Sequence, residues 1–250
     1  MKAIILAAGI GVRLKPLTED KPKCLLIVGG KSLIKRIVEN LYRENIVDIS
    51  IVMGYKKEMV INDLKDYKIN YIVNKNYTKG NALSLFLAKD KLNDEVLILD
   101  GDVLFHQDIL KILINSKHKN CVLIDQKFKD TGEEMKIIVN KGRVDKIGRS
   151  VHKSCDLFGE GVGIVKLSKQ AALKLKDYLE SLYSQGLIDK DYEDVLNYVF
   201  KDFNFGYEQI RDLPWIEIDF VDDYNKAKKY ILPNILAMQE KKILTLQCLL

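Results

Sequence analysis

A chain of 250 residues with 47% hydrophobic residues, 30% charged residues and only four prolines has the apolar content to bury a sizeable core, which excludes a disordered segment. Forty Lys and Arg against 35 Asp and Glu leave a formal charge of +5 spread along the whole length; with no basic tail and no basic-aromatic stripe, nucleic acid is excluded and a small anion is favoured. Cys24, Cys121, Cys155 and Cys248 lie far apart with no C-x-x-C and no histidine at ligand spacing, against structural zinc or a disulfide framework, and no stretch has the roughly 20 apolar residues of a membrane span, so a reducing, cytoplasmic location is expected with no membrane partner.

The first apolar run, 2–6, ends in small residues and predicts a strand buried on both faces. It is too short for a secretory signal, since glycines and Arg13 follow at once. Residues 32–45 carry Leu33, Ile34, Ile37, Val38 and Leu41 at helical spacing with Ser32 placed to cap, and 48–53 read as the next parallel strand. The alternation continues with a helix over 57–64, a strand at 69–73, a helix over 82–92 and a strand at 96–99. This rhythm predicts an α/β fold with a doubly wound, mostly parallel sheet. After Phe105 the rhythm changes. Short β-like runs separated by Thr131-Gly132 and Lys141-Gly142 predict hairpins mixed with the sheet over 121–167. Helices are expected at 169–185 and 191–200, then a strand in WIEIDF and a last helix over 222–230.

Three motifs carry chemistry. In LAAGIGVRLKPLT, Ala7, Ala8, Gly9 and Gly11 follow a strand and let backbone N–H groups approach an anion, with Arg13 and Lys15 to neutralise it. The third glycine of a dinucleotide loop is replaced by Leu14, and no G-K-[ST] follows, so the loop alone is equally a tight strand-to-helix turn. In LILDGDVLF, Asp100 and Asp102 end a buried strand, where open α/β sheets bind ligands and where Mg²⁺ takes one or two carboxylates together with phosphate oxygens. Asp100 read by itself also suits a turn cap. In WIEIDFVDDY, period-two alternation sets Glu217 and Asp219 on one face of a strand, either toward a cation or on the wet side of an edge strand. Together the motifs supply an anion cradle, the cations Arg13, Lys15 and Lys23, and carboxylates from two distant strands. That is a phosphate-transfer site. A dehydrogenase would need an acid closing the second strand, which ends in Met53-Gly54-Tyr55, and a nucleotide-binding regulator without activity would not need both carboxylate motifs.

The run LAAGIGVRLKPLT followed by KPKCLL resembles the signature L-A-A-G-x-G-x-R-L-x-P-L-T-x-x-x-P-K of the nucleotidyltransferase superfamily, as does the order of glycine-rich loop, D-G-D and late E-x-D. The resemblance covers 1–230. YTKGNALSLFLAKDKL and the compact length resemble CTP-dependent members, the phosphonate (2-aminoethylphosphonate) and CTP:phosphocholine cytidylyltransferases. It implies a Rossmann-like nucleotidyltransferase domain over 1–232, with a nucleotide-binding half at 1–105, an acceptor and metal half at 106–232, and a C-terminal helix or linker over 233–250. Leu6, Ala7, Ala8, Gly9, Gly11 and Asp100 would hold the nucleotide, with Arg13 on the leaving pyrophosphate and Lys23 near the α-phosphate. Gly80, Asn81 and Ser84 would read base and ribose, and Asp102, Asp219 and Glu217 would bind Mg²⁺. FGEGVGI takes the place of an N-A-G stretch that faces sugar acceptors, and its Glu160 argues against a sugar.

The implied reaction is attack by an acceptor phosphate or phosphonate oxygen on the α-phosphorus of CTP, expelling pyrophosphate. That oxygen is already ionised, so no general base is needed, and His106, His118 and His152 are read as surface or structural. Asp156, Glu160 and the acids around Tyr192, including Glu193, suit a primary ammonium, or alternatively the second group is the solvated start of a helix. Lys136 is read either as an acceptor-phosphonate ligand or as an exposed strand lysine. The uncharged ending ILTLQCLL is unusual unless it docks or leads onward, and phosphonate cytidylyltransferases are often followed by an aminotransferase domain. The expectation is therefore CTP and 2-aminoethylphosphonate, with phosphocholine the alternative zwitterionic acceptor and a sugar 1-phosphate a more distant one.

Overall fold

The computed structural model describes residues 1–150 and 155–247, with side chains as far as 242; the expectations for His152, Cys248 and the uncharged ending 243–250 fall outside the described residues or side chains. The apolar run KAIILA forms β1 (Lys2–Ala7), and Ala3, Ile4 and Ile5 within it are fully buried. A small hairpin, β2 (Ile27–Val28) and β3 (Lys31–Ser32), leads into α1 (Leu33–Arg43). The Ser32 hydroxyl accepts the Lys35 N–H at 3.1 Å, the cap expected from sequence. Next come β4 (Ile49–Met53), α2 (Lys57–Asp63), β5 (Ile69–Val73) and α3 (Asn81–Leu87), which passes into a 3₁₀ turn at Lys89–Lys91 rather than running to 92.

One apolar stretch becomes two strands, β6 (Val96–Asp100) and β7 (Val103–Phe105), because the chain turns at Gly101, whose N–H donates to the Leu6 carbonyl at 2.9 Å. The following α4 (Gln107–Asn115) has His106 rather than Ser, Thr, Asp or Asn at its cap position, where His106 Nδ1 accepts the Asp108 N–H. The second half contains β8 (Cys121–Asp125), β9 (Lys136–Asn140), β10 (Arg143–Gly148), β11 (Leu157–Leu167), α5 (Lys169–Ser184), α6 (Tyr192–Asp202), β12 (Gly206–Gln209), β13 (Trp215–Glu217), α7 (Val221–Lys226) and, after a π-helical stretch at Ala227–Ile231, α8 (Leu232–Gln247). The strand expected through WIEIDF stops at Glu217, where its antiparallel pairing with the three-residue β7 runs out.

Among the described residues the main sheet has nine strands, in the order β10-β9-β11-β6-β1-β4-β5, with β8 on the other edge of β11 and β12 beside β8. The strands β6, β1, β4 and β5 are mutually parallel, and β11 enters antiparallel to β6. Strand alternation sends Ile4, Val52 and Ile98 into the core layer covered by α3, α5 and α6, and Ile5, Ile51 and Leu99 into the layer covered by α1 and α4. The sheet is thus doubly wound, as expected. A third, smaller cluster of Leu14, Val28, Leu33, Leu104, Ile218 and Leu232 anchors the opening loop against β7 and α8. Chain order reverses on either side of β1, so the crevice between the carboxyl ends of β1 and β6 is the topological switch point of the sheet.

A Cβ on Gly101 would lie 2.8 Å from both Ala7 Cβ and the Leu6 carbonyl oxygen, whereas one on Gly9 would meet nothing within 4 Å. Gly101→Ala should therefore cost about 1–3 kcal/mol of stability by overpacking, and Gly9→Ala no more than about 0.5 kcal/mol, as read by urea denaturation.

Candidate active site

The opening loop leaves β1 through Gly11, which has φ 74° and ψ 50°, a left-handed conformation that disfavours a side chain. A Cβ there would also press to 3.0 Å from Lys23 Cβ. The Thr18 hydroxyl donates to the Gly11 carbonyl at 2.7 Å, and buried Leu14 roots the loop, so Arg13 is presented on its outer side. Lys23 follows Pro22 at the head of a 3₁₀ turn whose Cys24 and Leu25 are buried.

Three remote segments meet at the Lys23 ammonium, which lies 2.6 Å from Asp102 Oδ2 and 2.5 Å from Asp219 Oδ1. Arg13 takes the other oxygen of Asp219 at 2.6 Å, reaches Glu133 at 3.5 Å, and stacks over the Phe220 ring at 4.6 Å. With its side chain 49% exposed, Arg13 gains at most about 1 kcal/mol from such a pair and is free to leave it. Lys23, at 12% exposure, is confined. Burial opposes its charge, yet Asp102, Asp219 and Glu217 outweigh burial and hold the ammonium protonated far above its usual range.

One oxygen from each of Asp102, Glu217 and Asp219 can be chosen so that all lie within 4.8 Å of one another. Asp102 Oδ1 is buried with no hydrogen-bond partner. An all-oxygen cluster with an orphaned carboxylate oxygen fits a hard divalent cation. Burial, reinforced by Asp102 and Asp219, pushes the Glu217 carboxyl up to about 8. Asp219 goes the other way: burial would raise it, but Lys23 and Arg13 hold it below the usual carboxylate range. Although the strand ends at Glu217, the Ile218 N–H donates to the Asp102 carbonyl and keeps Asp219 turned to the same cluster.

Two cavities share this cluster. The inner one, about 160 Å³, is lined by Asn81, Asp100, Asp102, Arg149, Tyr192 and Glu193 among others. The outer one, about 500 Å³, is lined by Asp125, Glu133, Glu134, Glu160, Asp222 and Asp223, by Lys129 and Lys226, and by Trp215 and Phe220. Glu217 and Asp219 belong to both, forming the wall between them.

Residues 2–133, more than half the chain, match the family described as nucleotidyl transferase. The chain belongs to the nucleotidyl transferase family. It is 29% identical over 246 residues to the CTP:phosphoglutamine cytidylyltransferase of Campylobacter jejuni, covering 89% of this chain and 97% of that one. It is 30% identical over 239 residues to the choline-phosphate cytidylyltransferase of Streptococcus pneumoniae, covering 92% and 98%. The solved CTP:phosphocholine cytidylyltransferase from Streptococcus pneumoniae superposes with a TM-score of 0.73 at 27% identity, over 91% of this chain and 97% of that one. The resemblance read from the opening signature is therefore correct, down to the cytidylyltransferase-like branch. No helix among the described residues is long and apolar enough to cross a membrane, and these relatives give no support for a fused aminotransferase domain.

Of the residues expected in this nucleotidyltransferase site, Arg13, Lys23, Asp102, Glu217 and Asp219 converge, and Asp100 lies just behind them. The Tyr192 hydroxyl donates to Asp100 Oδ2 at 3.2 Å, and burial with Glu193 and Asp102 nearby pushes the Asp100 carboxyl well up. Tyr192 is 1% exposed, so its ring offers no face to an acceptor. Glu193 lines the inner cavity, with burial raising its carboxyl to about 8. Glu160 lines the outer one, raised to about 7 by burial and then by Glu134 and Asp125.

The remaining expected residues are tied into the scaffold. Lys136 is buried and lines neither cavity: its ammonium is 2.7 Å from Asp130 and donates to the Arg149 carbonyl at 2.8 Å. Asp156 accepts the Lys141 N–H at 2.6 Å and closes the β9–β10 turn, lining neither cavity. Ser84 is buried and accepts from Asn74 at 3.0 Å, so its hydroxyl is engaged inside the core. Gly80 and Asn81 tie α3 to the start of α6: the Gly80 N–H donates to Asp189, a Cβ on Gly80 would strike the Lys190 carbonyl, and Asn81 Oδ1 accepts the Tyr192 N–H while Asn81 also lines the inner cavity. Asp191 stands at the N-cap of α6 with Glu193 and Asp194 in its first turn, in line with the helix-start alternative, and it pairs on the surface with Arg149 at 3.3 Å. The outer cavity also takes in Asp125 at the end of β8, Glu133 and Glu134 before β9, and Phe220, Asp222 and Asp223 at the start of α7, which no local pattern brings together; the fold does. Only the lone Trp215, two residues before Glu217, offered a signal.

Asp102→Asn and Asp219→Asn should each lower nucleotidyl transfer by about 100-fold or more while leaving the far-UV circular dichroism unchanged. Lys23→Ala should reduce kcat by a larger factor than it raises the nucleotide KM, the result expected of a charge that acts on the transition state more than on nucleotide binding. Steady-state kinetics on the three variants tests both.

Proposed function

We propose that the chain is a CTP-dependent cytidylyltransferase that transfers CMP to the phosphonate or phosphate of a small acceptor carrying a cationic amine, with 2-aminoethylphosphonate as the leading acceptor. The observation that carries this reading is the acidic outer cavity, which is lined by eight carboxylates, Glu217 and Asp219 of the shared wall included, against two lysines. A cationic group would find its counter-charges there, with its phosphonate directed toward the shared wall. The cytidylyltransferase relatives, matched over nearly their whole length, support CTP as the donor.

In this reading the half at 1–105 supplies the nucleotide cradle, Leu6 to Gly11, and the half at 106–232 supplies the outer cavity. Arg13 neutralises the leaving pyrophosphate, and Lys23 stands against the α-phosphate. Asp102, Asp219 and Glu217 would hold Mg²⁺, which when bound supplies charge neutralisation at the phosphate oxygens. The acceptor oxygen forms its bond to the α-phosphorus in line as the bond to pyrophosphate breaks. Both anionic reactants need charge compensation more than proton transfer, and the two cavities are lined by cations and carboxylates with no histidine.

Trp215 and Phe220 favour phosphocholine as the second reading, because aromatic faces attract a quaternary ammonium. Trp215 is held in place by its indole N–H, which donates to Asp125 at 2.8 Å. Pyrophosphate release with CTP, Mg²⁺ and each acceptor separates the readings. The kcat/KM for 2-aminoethylphosphonate is expected to exceed that for phosphocholine by about 10- to 100-fold, since three methyl groups block the hydrogen bonds a primary ammonium donates to the carboxylates. Ethanolamine phosphate isolates the effect of the bridging oxygen. A preference for phosphocholine would select the aromatic reading, and no release with any cationic acceptor would reject the function.

Glu160 adds a pH signature. With its carboxyl raised to about 7, it is neutral below that pH and anionic above it. The acceptor KM should fall as pH rises through about 7, and Glu160→Gln should remove that step while phosphate ionisation of the acceptor stays common to both proteins.

A further inference from the structure

The contacts at Lys23 say more about the site than the role of a phosphate ligand. Its ammonium sits 2.6 Å from Asp102 and 2.5 Å from Asp219, two of the three carboxylates of the cation cluster. Arg13 engages the second oxygen of Asp219 at 2.6 Å, so both oxygens of that carboxylate are on cations. A divalent ion drawn to the same carboxylates would stand a few ångströms from two positive charges, in a pocket where Lys23 has little solvent screening. Burial of Cys24 and Leu25 beside it keeps the Lys23 backbone from retreating.

We propose that Lys23 is an electrostatic interlock: its ammonium competes with the divalent cation for Asp102 and Asp219, so that the cation binds the protein weakly alone and loads together with the nucleotide. The polyphosphate is the partner that releases the lock, because it offers Lys23 and Arg13 a new counter-charge. The two cations turn from the carboxylates to the phosphates, and the carboxylates are left to the metal. The difference in mobility sets the sequence: half-exposed Arg13 moves first, and Lys23 follows by a side-chain rotation within the same pocket. The inference rests on the reading of Asp102 and Asp219 as cation ligands, and adds that their ligand function is gated.

The test is binding of Mn²⁺, followed by the electron paramagnetic resonance signal of the free ion, to the intact protein without nucleotide. Wild type is expected to bind weakly. Lys23→Met should bind at least about tenfold more tightly, because a like charge has been removed from the ligand set, whereas Lys23→Arg should stay within about threefold of wild type. Adding Asp219→Asn to Lys23→Met should abolish the gain. Arg13→Met, on the exposed loop, gives a second variant independent of the buried lysine and should tighten Mn²⁺ binding by about threefold or more. Lys23→Met binding no tighter than wild type, or Lys23→Arg binding as tightly as Lys23→Met, overturns the interlock. If instead Asp102→Asn and Asp219→Asn leave Mn²⁺ binding unchanged in the presence of CTP, the ligand reading itself fails and the interlock falls with it.

Discussion

The ion triad of Lys23 with Asp102 and Asp219 is the constraint on which the site depends, because it joins the loop after β1, the turn after β6 and the segment after β13 at one point. Desolvating three charged groups costs several kcal/mol per ion, and close pairing offsets it only while every partner is present. The surrounding architecture maintains that geometry. The turn at Gly101 packs against the end of β1, the Ile218 N–H is bonded to the Asp102 carbonyl, and Leu14, Leu104 and Ile218 share one apolar cluster beneath the charges. An apolar base and backbone bonds hold side chains whose mutual attraction alone would not specify distances to within a few tenths of an ångström.

The sheet supplies the room. Parallel strands β5, β4, β1 and β6 direct their carboxyl ends to one side, and β11 closes that group in the opposite direction. Its sequence FGEGVGI makes sense in that position. Gly159 packs against Ile124 and the Asp125 carbonyl, and Gly163 adopts φ 70° with a would-be Cβ only 2.7 Å from the Asp100 carboxylate. Between Gly161 and Val165 the register with β8 shifts. The irregularity falls where Gly161 and Gly163 line the inner cavity, so these glycines are a requirement of shape as much as of flexibility.

Charge is distributed against the global balance. A net +5 chain carries an outer cavity dominated by carboxylates. Cations cluster instead on the opening loop, where the nucleotide phosphates are proposed to lie. Both cavities that meet at the Glu217 and Asp219 wall are lined by more carboxylates than cations, and the cations that reach the wall, Arg13 and Lys23, come from the opening loop and the turn after it.

The sequence by itself determined the class of fold, the opening loop and the carboxylate motifs, because each depends on short-range rules: alternating burial in strands, helical spacing capped at Ser32, and the small residues that let a backbone meet an anion. Glu217 and Asp219 were legible for the same reason, although the strand proved shorter than their alternation suggested. What only the tertiary structure decided is which acids line a cavity and which serve the scaffold alone. Asp156 and Asp125 each stand beside the end of a strand, yet one closes a turn and the other lines the outer cavity. Lys136 and Lys23 are both buried lysines paired with aspartate, but Asp130 comes from the lysine's own neighbourhood, whereas Asp219 arrives from 196 residues away. Local sequence encodes the backbone states and the chemistry available. The assignment of each charge depends on long-range packing, since in a low-dielectric interior a carboxylate's partner is whichever group the fold brings within about 3 Å.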